Sequence, residues 1–502
     1  MESLHWLLVG FQEALTVWNL IYCVLGVSMG MLVGVLPGLG PVAGTALLIP
    51  ITFGMEPISA IIMLAGIYYG SMYGGTITSV LINTPGESAS VITCIDGHQL
   101  AKQGRGGTAL GVAAIGSFVG GIVAVLSLAF IGPPLAKFAL KFGPPEYFAL
   151  MLLGLLLIVG LMGKSVTKGL IAALLGLLLA LIGMDPVSGE VRFTFGQMNL
   201  IEGIDFVVIA MGLFGISEIL LNAENKLKLD KPAKVHGMLP KKEEWKPTMK
   251  SVGRGTGIGM LIGLIPGAGA PISSIISYSI EKKLAKNPSR FGKGAIEGVA
   301  GPETANNAHS GAALIPLFTL GIPSSPTIAV LLGALMMHGL TPGPALYQSN
   351  PTFVWGIIAS MFIGNLILLI FNLPLAGLWA KIVLIPYKLL FPLILILTMV
   401  GTYSIKNSLW DVGLMILFGV VGYLMKKLDI PAAVTVLTFV LGAQIESSFL
   451  QSLASSPQDG FLIFFNRPIS GTLIVIGLLL LIFSTISGFK KKKNLIEGDF
   501  EI

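Results

Sequence analysis

The chain has 502 residues, of which 54% are hydrophobic and only 11% are charged, whereas an ordinary soluble domain has about 25% charged residues. This deficit excludes a soluble globular protein and predicts an integral membrane protein whose surface contacts the lipid bilayer. The net charge of +6 comes from short basic clusters between apolar segments, so it does not indicate nucleic acid as a partner, and the two isolated cysteines predict neither disulfides nor a cysteine metal site.

The apolar segments predict an all-α polytopic membrane protein with about 10–12 transmembrane helices, because about 20 apolar residues cross a bilayer as a helix. The uninterrupted segments are 108–131, 147–161, 169–183, 203–222, 352–374, 389–402, 409–425, 431–447 and 470–488. Glycine and proline interrupt four others, at 20–53, 58–93, 257–280 and 296–336. These four predict broken helices, which are tolerated at membrane depth only where protein or a water-filled cavity satisfies the freed backbone groups.

The two halves of the chain resemble each other in the order of their glycine- and proline-rich runs. Residues 34–41 recur as 263–271, and residues 83–88 have a counterpart in 321–326. Matches in the same order, at a roughly constant offset, predict an internal repeat.

Loop charges predict how the two repeats are oriented, because basic residues in short loops stay in the cytoplasm. Loop 281–293 has five basic residues and its first-half counterpart 53–57 has none, whereas loop 96–107 has two and its second-half counterpart 337–351 has none. Corresponding loops are therefore predicted on opposite sides of the membrane, which is an inverted-topology repeat.

These patterns divide the chain into four parts. Residues 1–222 are predicted as the first transmembrane repeat, 223–256 as a basic cytoplasmic linker, and 257–450 as the second transmembrane repeat. Residues 451–502 hold an extra C-terminal transmembrane helix and a basic cytoplasmic tail. Inverted repeats with broken helices are the architecture of secondary transporters, which bind substrate near the midplane where the repeats meet.

The first pair of breaks consists of short glycine- and proline-rich runs. Proline removes a helical N–H and glycine permits positive φ, so each run predicts the end of one half-helix and the start of another within a re-entrant hairpin. Tight helix packing or simple kinks are the alternative. The hairpin residues are Pro37, Gly38, Gly40, Pro266, Gly267 and Gly269.

The second pair of breaks carries polar side chains. Asn83 or Thr84 suits an N-cap and Pro85 suits the first helical position. Two such helix starts would clamp an anion carrying two or three carboxylates, although these residues could instead only cap kinked helices.

The polar run 303–310 should face a cavity or another helix, because it is costly in hydrocarbon. The predicted substrate-binding residues are Tyr73, Asn83, Thr84, Pro85, Gly86, Ser88, Asn306, Asn307, Ser310, Gly321, Pro323, Ser324 and Ser325.

Two acidic residues, Glu87 and Glu303, are candidates for coupling to Na⁺ or H⁺, with a structural carboxylate as the alternative for each. No lysine or arginine lies in the four broken segments, so charge compensation for an anion must come from backbone dipoles and co-transported cations.

Asp96 is interpreted as cytoplasmic because it adjoins a basic loop. His309 is interpreted as a packing residue rather than a proton relay.

No catalytic constellation and no complete nucleotide-binding motif occurs, so the sequence predicts neither an enzyme nor direct ATP drive, and no cofactor. An ion channel or a non-transporting membrane scaffold is the main alternative to a carrier. A channel needs a continuous polar lining, whereas the polar residues here concentrate at the broken segments.

Five motifs, at 34–41, 67–75, 83–90, 102–106 and 301–308, resemble the large membrane subunit of the tripartite tricarboxylate transporters. The resemblance extends over nearly the whole chain. It implies a multi-pass protein of the bacterial inner membrane that works with a small membrane subunit and a periplasmic solute-binding protein. It also implies import of citrate-like di- or tricarboxylates by Na⁺ or H⁺ symport, and a kinship with elevator-type carriers.

Overall fold

The structure is a computed structural model that describes residues 2–36, 38–162, 165–185, 188–224, 235, 237–382 and 387–482. Three parts of the chain lie outside the described residues: Pro37, most of the basic linker before residue 237, and the basic tail. The predictions made for them stay predictions. In the described residues the only strands are β1 (Gly183–Met184) and β2 (Val191–Arg192), which pair antiparallel. The rest of the regular structure is helical, which confirms the predicted all-α class.

The helices follow the chain in two series. The first series is α1 (Glu2–Ala14), α2 (Val17–Val35), α3 (Gly40–Leu48), α4 (Pro57–Ile82), α5 (Val91–Lys102), α6 (Gly106–Ala139), α7 (Pro144–Met162), α8 (Val166–Ala180), α9 (Phe206–Ala210) and α10 (Ser217–Glu224). The second is α11 (Trp245–Gly263), α12 (Gly269–Leu284), α13 (Glu297–Ala312), α14 (Leu314–Leu320), α15 (Pro326–Met337), α16 (Pro344–Ser349), α17 (Pro351–Asn372), α18 (Ala376–Ile382), α19 (Tyr387–Lys406), α20 (Leu409–Lys427), α21 (Ala432–Ser455) and α22 (Ile463–Asn466).

The chain is a polytopic membrane protein. Within the described ranges, seven helical segments are long and apolar enough to span a bilayer, and a pair bent by 90°, Gly460–Asn466 with Pro468–Ile482, would make an eighth. The predicted count of about 10–12 is higher, because three predicted spans fall on shorter apolar helices. These are Pro144–Gly160, Val166–Ala180 and Ile394–Lys406.

The predicted linker 223–256 is shorter than expected, because its last part is helical. Helix α10 ends at Glu224 and α11 begins at Trp245. Thr248, Ser251 and Val252 on the first turns of α11 are buried, so this part of the linker belongs to the packed body of the protein.

Two buried helices, α4 and α13, form the centre of the fold, and each packs against a helix with small residues. Helix α2 packs on α4, and α11 packs on α13. At each of these two contacts, three glycines of the outer helix (α2 or α11) face the buried helix. A Cβ at any of them would collide with the backbone or a side chain of the opposing helix. Glycines four residues apart allow such close approach of helices in membranes. The contact glycines are Gly26, Gly30 and Gly34 in α2 and Gly255, Gly259 and Gly263 in α11.

The break after α4 and the break after α14 have the same backbone conformation. Asn83 and Gly321 end their helices in the left-handed region, at φ of 54° and 73°. Four residues later, Glu87 and Ser325 are N-caps with φ/ψ of −146°/165° and −148°/165°. The recurrence predicted from the sequence at these positions therefore extends to local structure.

The breaks before α3 and α12 form the second matching pair. Gly38 and Gly40 have φ of 94° and 62°, and Gly267 and Gly269 have φ of 81° and 52°. Two left-handed residues separated by one helical residue turn the chain sharply, and glycine adopts this region without a Cβ penalty. Helix α11 packs on α12 after its break, as a hairpin requires.

The inverted orientation of the two halves stays a prediction, and cysteine labelling tests it. Ser289 lies in the basic loop 281–293 and Ser349 in loop 337–351, which has no basic residue, and both serines are exposed. With Cys23 and Cys94 replaced by alanine, we expect Ser349→Cys to react with a membrane-impermeant thiol reagent applied outside. Ser289→Cys should react only after the membrane is permeabilised. Labelling of both from the same side would contradict the inverted repeat.

Candidate functional site

A cavity of about 290 Å³ lies where the four breaks meet. Each break contributes part of the wall, and side chains of α4 and α13 complete it. The lining consists of Pro41, Val42, Tyr68, Met72, Glu87, Ser88, residues 267–272, His309, Ser325, Pro326 and Thr327. Two other cavities, of about 420 Å³ each, lie away from the breaks and have no lining residue in these runs.

Three helices and one short helical turn begin at this cavity. Helices α3, α12 and α15 start at Gly40, Gly269 and Pro326, and the turn Ser88–Ser90 leads into α5. A helix start presents N–H groups without helical partners and the positive end of the dipole, equivalent to about half a charge. The lining residues, all from described segments, include no lysine or arginine. The cavity is therefore suited to an anion that is held by backbone dipoles.

The Glu87 side chain connects the first-half break to α13. Its Oε2 accepts a hydrogen bond from the Ala89 N–H at 2.7 Å, which caps the turn that follows. Its Oε1 accepts one from Asn306 Nδ2 at 2.9 Å. Glu87 is 5% exposed, so its carboxylate lies in the wall of the cavity rather than in open solvent.

A second buried carboxylate, Glu303, lies one helical turn from Asn306 on α13. It accepts hydrogen bonds from the Thr76 hydroxyl, at 2.5 Å, and from the Thr93 hydroxyl. Among the ion pairs that involve described residues, none includes Glu87 or Glu303. A buried charge without a counter-ion is costly, so both carboxylates favour a bound cation or proton.

Asn306 and Asn307 each leave a buried carbonyl oxygen without a hydrogen-bond partner in the described structure. The Asn307 amide donates to Ser117 Oγ at 2.7 Å and to the Glu303 carbonyl at 3.1 Å. Leaving a buried acceptor unpaired costs about 1–3 kcal/mol. These oxygens therefore add acceptor capacity to the polar cluster around Glu303.

The structure brings some of the predicted site residues to the cavity and leaves others behind its wall. Those that line it are Glu87, Ser88, Gly267, Gly269 and Ser325. Those that do not are Gly38, Gly40, Tyr73, Asn83, Thr84, Pro85, Gly86, Pro266, Glu303, Asn306, Asn307, Ser310, Gly321, Pro323 and Ser324.

Several residues behind the wall have internal hydrogen bonds. The Tyr73 hydroxyl donates to Asn365 Oδ1 at 3.4 Å. The Ser324 hydroxyl donates to the Ala313 carbonyl at 3.0 Å, and the Ser310 hydroxyl to the Asn307 carbonyl at 2.8 Å. The Ser324 bond holds the second-half break against the end of α13, whereas the Tyr73 bond joins α4 to α17 and the Ser310 bond lies within α13.

The predicted start of the first-half helix was wrong. Asn83 is the C-cap of α4 rather than an N-cap, and neither Thr84 nor Pro85 begins a helix. Asparagine tolerates the left-handed conformation, so α4 continues up to it before the chain turns. The cap is instead Glu87, whose carboxylate accepts the Ala89 N–H. In the second half the cap is Ser325, as its position beside Pro326 allows.

Asp96 has a structural role beside the basic loop that it adjoins in sequence. It is 0% exposed, and its Oδ1 accepts hydrogen bonds from the N–H groups of Gly292, Gly294 and Ala295 at 2.8–2.9 Å. Its Oδ2 accepts one from the Tyr278 hydroxyl at 2.9 Å. Asp96 therefore joins α5 to the loop before α13 instead of lying free beside the basic loop.

Tyr68 and His309 line the cavity although the sequence did not assign either of them to the site. Tyr68 and Met72 are four residues apart on α4, so they share a helical face, and this spacing could have indicated them. His309 is fully buried and contacts Ser273, as expected of a hydrogen-bonded packing residue, and it also lines the cavity.

The sequence matches the tripartite tricarboxylate transporter TctA family over residues 20–437. The chain belongs to this family. A protein of Agrobacterium vitis, described as an uncharacterized 52.8 kDa protein in the TAR-I ttuC' 3' region, is 47% identical over 495 residues, which is 98% of each chain. A second protein of that organism, from the TAR-II ttuC' 3' region, is 46% identical over 47% of this chain and 97% of its own. No solved structure matches.

Membership of the TctA family confirms the resemblance predicted from the sequence motifs. TctA proteins are membrane components of transporters, so this chain is a transport protein and not an enzyme, as predicted. Tripartite transporters of this family work with a small membrane subunit and a periplasmic binding protein.

Proposed function

We propose that this TctA-family chain carries citrate-like di- or tricarboxylates, and that the anion binds in the cavity between the four breaks. The observation that supports this most strongly is the meeting of three helix starts and one helical turn at a cavity lined by no lysine or arginine. Unpaired N–H groups at helix starts bind carboxylates directly. The volume of about 290 Å³ is at the lower end of small-molecule sites, which suits a small organic anion.

Cation symport is the second part of the proposal. A carboxylate substrate would share the cavity with Glu87, whose negative charge would repel it. Glu303 lies behind the wall, connected to Glu87 through α13 and Asn306. A co-transported Na⁺ or H⁺ at one or both of these carboxylates would remove the repulsion, so substrate and cation would bind together.

The remaining parts of the proposal concern the assembly. The chain would be the large membrane subunit in a bacterial inner membrane, with a small membrane subunit beside it and a periplasmic binding protein that delivers the anion. An elevator-type motion would carry the four breaks and their anion across the membrane as one unit. The alternative, a channel or scaffold, would not need a cavity with one buried carboxylate in its wall and a second behind it.

Determining the structure with a bound anion tests the location of the site. The purified protein would be incubated with citrate and sodium chloride before cryo-electron microscopy. We expect density for the anion next to the backbone N–H groups of Ala270 and Thr327. The triethyl ester of citrate, which has no carboxylate charge, should leave the cavity without such density. Citrate density elsewhere, with the helix starts packed against protein, would contradict the proposal.

A further inference from the structure

His309 differs from the other side chains in the cavity wall. It is 0% exposed, and its ring lines the cavity from α13. Its Nδ1 lies 3.0 Å from Ser273 Oγ on α12, whereas its Nε2 is buried and has no hydrogen-bond partner. Among the lining residues, it is the one with a buried side-chain polar atom that no described residue satisfies.

The contact with Ser273 determines where the proton of a neutral ring lies. Ser273 is fully buried, and its hydroxyl has no hydrogen bond to a described residue other than His309. A serine hydroxyl has one hydrogen to donate, so Ser273 is satisfied when it donates to Nδ1. Nδ1 is then the acceptor, and the single N–H of the neutral imidazole is on Nε2.

Two other polar side chains of the wall already have hydrogen bonds. Both oxygens of the Glu87 carboxylate accept hydrogen bonds, and the Ser325 hydroxyl oxygen accepts one from the Ile328 N–H at 3.4 Å. An N–H that is buried without an acceptor is unfavourable, and in a cavity wall its acceptor can come from a ligand. The acceptors of a carboxylate substrate are its oxygens.

We propose that His309 is a substrate-binding residue whose Nε2–H donates to an oxygen of the bound carboxylate, and that Ser273 is a positioning residue that fixes this tautomer. The inference rests on the proposed function. The helix starts supply diffuse positive potential, whereas the imidazole N–H has a fixed direction. His309 therefore selects among anions by where they place an oxygen.

A double-mutant cycle with labelled citrate tests this pair. Purified wild-type protein, His309→Ala, His309→Gln, Ser273→Ala and the double variant would be compared by equilibrium binding. We expect His309→Ala to weaken binding about tenfold or more, as for loss of one hydrogen bond to a charged group. His309→Gln, whose amide can place an N–H near the same point, should recover part of the affinity. Ser273→Ala should weaken binding several-fold in the wild-type background and have no further effect in His309→Ala.

The thermal stability of the ligand-free variants separates binding from packing. Wild-type stability without citrate, together with a smaller increase of Tm on adding citrate, is the expected result for His309→Gln and Ser273→Ala. Unchanged citrate affinity in both variants, while wild type binds citrate, would overturn the inference and leave the proposed function intact. Equal effects of Ser273→Ala with and without His309 would overturn the tautomer assignment. If none of citrate, malate and succinate binds the wild-type protein, that result would instead contradict the proposed function.

Discussion

Replacing Gly86 by valine should abolish uptake because the protein no longer folds, and not because the substrate is blocked. A Cβ at Gly86 would collide with the Gly34 carbonyl oxygen and would lie 2.7 Å from Gly75 Cα and 2.8 Å from Thr78 Oγ1. Gly34 and Gly75 meet Gly86 through backbone atoms, and both glycines are buried where α2 packs on α4, so neither can move aside. Overpacking of a well-packed core costs about 1–3 kcal/mol or more, and valine adds two methyl groups beyond Cβ.

The measurement is the yield and thermal stability of the detergent-solubilised protein by size-exclusion chromatography. Gly413→Val is the matched control, because Gly413 is exposed on α20 and a Cβ there meets nothing within 4 Å. We expect Gly413→Val to behave like wild type and Gly86→Val to be lost or aggregated. Recovery of stable, active Gly86→Val protein would contradict the prediction. It would show that the backbone around Gly86 can move away from α2 and α4. The sequence alone predicted Gly86 as a substrate-binding residue, whereas the structure places it in backbone contact with Gly34 and Gly75.

The existence of the four breaks could be predicted from the sequence because it follows from local chemistry. The Gly–X–Gly runs at 38–40 and 267–269 each follow a proline, which removes a helical N–H, and both adopt the positive φ that glycine permits. Their recurrence in the two halves could also be predicted, since it needs only a comparison of residue types at a fixed offset.

The residues that line the cavity could not be predicted in the same way, because the wall is formed by contacts between segments far apart in the chain. The Gly267 N–H donates to the Ser324 carbonyl at 2.9 Å, which joins two second-half breaks. Asn306 reaches Glu87 across 219 positions. Polarity alone therefore placed Asn306 and Asn307 in the substrate site, whereas they lie behind its wall.

The roles of single buried polar residues were the least predictable feature. The interpretation of Asp96 rested on its neighbours in sequence, but its four hydrogen bonds come from residues about 180 to 200 positions away. His309 is similar, because only the structure shows that Ser273 contacts one ring nitrogen while the other is buried without a partner among the described residues.

Replacing Glu303 by glutamine should abolish cation-coupled uptake while leaving the protein folded. Glutamine keeps the size of the side chain and one acceptor oxygen for Thr76 or Thr93, but it cannot carry the negative charge that would bind the coupling cation. We expect uptake driven by a gradient to fall by about a hundredfold, which corresponds to about 3 kcal/mol. Glu202→Gln is the matched control, because Glu202 is 80% exposed in its side chain and pairs only loosely with Lys406 at 3.3 Å. Gradient-driven uptake by Glu303→Gln at the wild-type rate would exclude Glu303 as a coupling residue.

Uptake by reconstituted wild-type protein tests the carrier proposal most directly. Proteoliposomes would contain this chain and its small membrane subunit, with the periplasmic binding protein and labelled citrate, malate or succinate outside. Uptake would be measured with an inward Na⁺ gradient, with an inward H⁺ gradient, and with neither. We expect accumulation of at least one of these carboxylates above its external concentration, under one of the two gradients only. Equilibration without accumulation under every condition, or no entry of any of them, would contradict it.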